Sequence, residues 1–167
     1  MINAGMLPVL EVEVLVLGSN SELIREVELS CNFSGNAHGR WAREILEDAD
    51  LTGLTGRVSL VMVSDADLGF HGEVNTEQRH AAALATGVLE ICPVEVVASL
   101  ATIASELPEL ETIAVAMKPV AYRENQFIEG ILYITKADDG VLIVKGYYAN
   151  PKLHAHGLSD KWLYRRL

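Results

Sequence analysis

The sequence is short of cysteine, proline and positive charge. Its 167 residues hold two cysteines, five prolines and 13 lysines and arginines against 23 acids, a formal net charge of −10. Two cysteines are too few for a disulfide framework. Cys31 and Cys92 each sit in an apolar context, as buried reduced thiols do. They form no C-x-x-C, which excludes a ribbon-type zinc site and a thioredoxin-like motif. The shortage of base argues against nucleic acid, whose phosphates need a positive stripe. Long apolar runs are missing too. The longest candidate, residues 96–105, is broken by Ser and Thr and falls far short of the roughly 20 residues of a membrane helix. Residues 1–8 carry no positive charge ahead of their apolar residues, so no secretory signal is expected. Neither G-x-G-x-x-G nor G-x-x-x-x-G-K-[ST] is present, nor a G-x-S-x-G nucleophile elbow. These absences predict a cytoplasmic protein with no cofactor and no contact with nucleic acid or membrane.

What is present is a core. Half of the residues are hydrophobic, and the length suits one globular domain over residues 1–167. The acid is unevenly spread: residues 1–80 carry −8 and residues 81–167 carry −2. An acidic surface keeps a small protein dissolved and can steer it to a basic partner.

Residues 9–17 alternate with the period of a strand, and residues 23–33 alternate again after the turn cluster at Gly18 to Ser21. An antiparallel pair is the economical reading. Trp41, Ile45, Leu46 and Ala49 recur at helical spacing behind a cap at Ser34 to Asn36. Residues 58–63 read as a strand covered on both faces. A helix from Asn75 or Thr76 to about Glu90, and a second from Pro93 to Pro108, predict an αα-hairpin. Residues 112–117 form a strand that Pro119 closes. The clearest element is a β-hairpin, residues 127–135 against 141–148, with Asp139-Gly140 supplying the positive φ of a tight turn. Gly130 and Gly146 inside it mark bulges or close contacts. The tail around Trp162 to Tyr164 folds back as a short helix or strand. The order ββ-α-β-αα-βββ predicts an α+β fold, a mostly antiparallel sheet of about six strands with helices on one face.

Four places carry chemistry. The loop after the buried strand holds Asp65, Asp67, His71 and Glu73, with His80 in the following helix. Its acids can bind a hard cation through oxygen, and His71 and Glu73 can act as base and orienting partner. An ordinary polar loop uses Asp and Gly in the same way for its turns. His154 and His156 would share one side of a strand, as a metal pair requires; a solvated tail segment after Asn150-Pro151 is the simpler reading. Asn36 to Arg40 at a helix start can hold an anion, or simply cap the helix. Tyr133, Tyr147 and Tyr148 of the hairpin, with Tyr122 and Phe127 nearby, suit an interface, and the hairpin edge suits pairing with a second copy. Two function classes follow. One is a small acidic interaction module (binder, inhibitor or accessory subunit) without catalysis of its own, acting on another protein of basic character. The other is a small metal-assisted hydrolase built on the Asp65–Glu73 loop.

Overall fold

Alternation becomes a buried face in the first strand. The computed structural model describes residues 7–153 and 161–167. Leu10, Val12 and Val14 of β1 (Val9–Val14) are buried, while Val9, Glu11 and Glu13 face water. The second alternating stretch does not pair with it. It folds mainly as helix α1 (Asn20–Ser30), followed by the two-residue strand β2 (Asn32–Phe33). The cause is local. Ser19 Oγ accepts the N–H of Glu22 at 3.2 Å, and the Glu22 carboxylate accepts the N–H of Gly18 at 2.7 Å, a variant of the capping box. Burial then follows helical spacing: Leu23 and Val27 are inside and Leu29 is exposed.

Helix α2 (Ala37–Asp48) starts at Asn36, whose side chain accepts the N–H of His38. Strand β3 (Gly56–Ser64) follows. Helix α3 (Thr76–Leu84) has a full capping box between Asn75 and Gln78. It ends at Leu84 rather than near Glu90, because residues 89–90 form strand β4 (Leu89–Glu90). Beyond Pro93 the chain forms a long 3₁₀ helix, Val94–Glu106. The expected αα-hairpin is absent. The 3₁₀ helix packs on β1 and α1 instead, and Ser99 Oγ donates to the Glu13 carbonyl at 2.7 Å.

The remaining strands are β5 (Thr112–Val115), β6 (Val120–Tyr122), β7 (Asn125–Lys136), β8 (Leu142–Ala149) and β9 (Lys161–Arg166). The hairpin is β7–β8, in register from Glu129 opposite Ala149 to Lys136 opposite Leu142. Its turn puts Gly140 at φ +82°, a value that L side chains rarely adopt.

The sheet corrects the expected strand count and sense. Nine strands among the described residues join in the order β1-β3-β9-β5-β7-β8-β2, with β4 on β9 and β6 on β7. The sheet is mixed, since β5–β9 and β8–β2 run parallel. The protein is a mixed helix-and-sheet structure. The tail is the surprise: β9 lies between β3 and β5, with Trp162, Leu163 and Tyr164 all buried. Burial on both faces explains its unbroken apolar and aromatic run.

The helices do not share one face. Gly130 and Gly146, on the face of Leu132, abut Ile45 and Ala42 of α2. Tyr133 points the other way, towards Trp162, and Trp162 lies under Arg79 and beside His80 of α3. So α2 covers one face, and α3 with its preceding loop covers the opposite one. No helix among the described residues is long and apolar enough to cross a membrane.

Candidate functional site

The acids of the Asp65 loop serve the fold. Asp65 Oδ1 and Oδ2 accept from Arg79 Nε at 2.5 Å and Nη2 at 2.8 Å. Asp67 Oδ2 accepts from the Ser64 N–H at 2.8 Å and from Ser64 Oγ at 2.7 Å, closing the turn that leaves β3. His71 and Glu73 lie exposed on the surface. His80 is engaged in the core, with Nδ1 2.8 Å from the hydroxyl of buried Tyr164. Among the described residues no three His, Cys, Asp or Glu side chains gather to hold a metal ion. His154 and His156 lie outside the described residues.

Both thiols are buried and unpaired. Burial pushes the Cys31 thiol up, and pushes that of Cys92 up to about 12.

The hairpin tyrosines separate. Tyr133 is fully buried beside Trp162 and offers no binding surface. Tyr147 and Tyr148 sit half-buried near the end of β8. There they join residues of α2 that sequence reading assigned to the core or to capping. His38 stacks on Tyr147 with ring centres 5.7 Å apart, and Trp41 meets His38, Tyr147 and Tyr148 edge-on at 5.2, 6.3 and 6.0 Å. Tyr122 of β6 extends the group, 4.7 Å from Tyr148. Such separations are those of favourable aromatic pairs.

Glycine makes this assembly. A Cβ on Gly146 would fall 2.5 Å from the Ala42 nitrogen and 2.6 Å from the Trp41 carbonyl carbon. Only a residue without Cβ lets α2 close on β8 at this point. His38 Nδ1 then lies 3.1 Å from the Gly146 carbonyl. Gly130 likewise leaves room for the Tyr148 ring and Ile45. The two strand glycines were the signal in the sequence: they mark the place where a helix and its aromatics approach.

Carboxylates surround the rings. Burial, with the charges of Glu44 and Asp48, pushes the Tyr148 phenol up to about 12. Glu124, first by its charge, raises that of Tyr122, with a smaller push from Glu44. Arg123 holds Asp48 at 2.6 Å and Glu47 at 2.8 Å, and keeps the Asp48 carboxyl below the ordinary range. Glu44 makes no ion pair among the described residues. The arrangement offers aromatic faces and edges in a negative field, with one uncommitted carboxylate.

Comparison with known proteins finds no matching family model, no matching curated protein and no matching solved structure.

Proposed function

We propose that this protein is a non-catalytic interaction module that takes a basic segment of another protein on the edge formed by His38, Trp41, Tyr147, Tyr148 and Tyr122. The observation that carries the reading is the half-exposed aromatic cluster within reach of Glu44, Asp48 and Glu124. A guanidinium gains from the negative face of an aromatic ring and from a carboxylate at once, and does so better than an ammonium, because it is planar and more weakly hydrated. The net charge of −10 adds a long-range pull that speeds encounter with a basic partner.

Fluorescence anisotropy with labelled oligoarginine and oligolysine peptides of equal length tests this. Oligoarginine binds more tightly than oligolysine. Tyr147→Ala and Glu44→Gln each weaken oligoarginine binding by roughly three- to tenfold, the size of one cation–π or ion-pair contact. Glu77→Gln removes the same charge from α3, which covers the face opposite α2, and changes affinity little. Equal effects of Glu44→Gln and Glu77→Gln, with none from Tyr147→Ala, would reduce the attraction to net charge and refute the surface.

A further inference from the structure

A cavity of about 470 Å³ opens beside the two central parallel strands, where the chain leaves β5 and where β9 nears its end. It is independent of the aromatic edge. Its floor includes Cys92 and Met117, whose backbones bridge in parallel sense, and Leu51 and Leu54 of the loop between α2 and β3 form one wall. The volume is that of small-molecule sites, and crevices beyond the carboxyl ends of parallel strands are recurrent ligand positions.

The loop wall is held in place from below. The buried carboxylate of Glu95 accepts the Thr52 N–H at 2.6 Å, the Gly53 N–H at 3.0 Å and the Thr52 hydroxyl at 3.1 Å. A wall fixed in this way keeps the cavity open without a ligand, which lowers the cost of binding. Cys92 is part of the floor, and its thiol is occupied: it donates to the Leu163 carbonyl at 3.3 Å.

The charges around the cavity reverse those of the protein. Its lining holds two bases, Lys118 and Arg165, and one acid, Asp50. Asp50 engages Lys118 at 2.5 Å, an exposed pair that a competing carboxylate can share at little cost. Arg165 reaches Glu90 only through Nη1, at 3.2 Å, so its other N–H groups keep donor capacity. An apolar floor with cations at the rim selects a molecule with an apolar body and an anionic head.

We infer that this cavity binds a small apolar carboxylate, its tail on Leu51, Leu54 and Met117 and its head at Arg165 and Lys118. The test uses octanoate, with the Met117 methyl resonance as reporter and that of Met62, outside the lining, as internal reference. Octanoate shifts the Met117 signal saturably and leaves Met62 in place. Octylamine, alike in its tail and opposite in charge, leaves Met117 unmoved at the same concentrations. Leu54→Trp fills the cavity from its wall and abolishes the response. Arg165→Gln weakens it about tenfold, the loss of one charge-assisted hydrogen bond. An unchanged Met62 signal confirms that each variant is folded. A Met117 signal that octanoate does not move, or that octylamine moves equally, overturns the inference. So does an affinity unchanged in Leu54→Trp or in Arg165→Gln.

Discussion

Arg79 is buried with its guanidinium carbon 4.6 Å from the centre of the Trp162 ring, and Asp65 neutralises it through two hydrogen bonds. One residue reaches from α3 and the other from the loop after β3, so the pair ties helix to sheet. Arg79 Nη1 is buried and has no hydrogen-bond partner among the described residues, and the same holds for Trp162 Nε1. Asp65 is the acid that keeps this buried charge tolerable. Asp65→Ala therefore costs about 3–5 kcal/mol in urea unfolding. Combining Asp65→Leu with Arg79→Met recovers most of that, because no charge is then stranded. A single-variant loss below about 1 kcal/mol would show that solvent, rather than Asp65, balances the guanidinium.

Glu95 anchors the loop between α2 and β3 through two backbone N–H groups and one hydroxyl. Glu95→Ala removes the buried acceptor of three charge-assisted hydrogen bonds and leaves the Thr52 and Gly53 donors, on exposed residues, to water. The expected cost is about 2–4 kcal/mol, with faster amide exchange at Thr52 and Gly53 than at neighbours in β3. Amide exchange unchanged at these two positions would mean that the loop does not depend on this carboxylate.

Gly146→Ala places a methyl group against the backbone of α2, which has no flexible end to give way. Overpacking of this kind costs about 1–3 kcal/mol or more. It also separates Trp41 from Tyr147, so the tryptophan emission changes. Gly35→Ala is the control: nothing lies within 4 Å of its Cβ, and stability stays within about 0.5 kcal/mol. Equal melting temperatures for the two variants would contradict the close approach of α2 to β8.

Alkaline pH undermines the fold in a defined window. The Cys92 thiol ordinarily ionises near 9.0 and in the folded chain only near 12. Between those values the unfolded chain has lost a proton that the folded chain retains, so stability falls as pH rises. The contribution is complete below pH 9 and gone above about 12. Cys92→Ala, less stable at neutral pH, shows a shallower decline across this range by urea titration at stepped pH. The remaining slope includes the other groups that burial holds protonated, Cys31, Tyr133, Tyr148 and Tyr164. Parallel curves for wild type and variant would remove Cys92 from the account.

Legibility in the sequence followed the range of the forces. The β7–β8 hairpin was readable because two residues, Asp139-Gly140, set its turn and alternation sets its register. Helix α1 was equally local and still misread. Ser19-x-x-Glu22 announced a helix start, but the alternation of Val27, Leu29, Cys31 and Phe33 imitated a strand. The cap prevailed, and Leu29 was left in water. The sheet order was not readable, since the pairing of Ala114 with Trp162 joins distant residues that carry no mutual signature. The site divides in the same way. Tyr147 and Tyr148 stood out by type, whereas His38, Trp41 and Glu44 became neighbours only when α2 closed on two glycines. Tyr133 resembles its fellow tyrosines and even shares a face of the sheet with Tyr147, but it lies fully buried beside Trp162 in the middle of the sheet, a distinction that depends on the strand order.

The position of β9 has a consequence in time. Residues 161–166 fill the gap between β3 and β5, so the sheet has no continuous hydrogen-bonded path across its middle until they arrive. During synthesis β1 and β3 emerge early and the β7–β8 hairpin much later, and they wait as two separate pieces with exposed strand edges. Such edges are sticky, and the long loop that β9 must close is slow to form. Of the described strands β9 is synthesised last, so the two halves of the sheet join only after every other described strand is available.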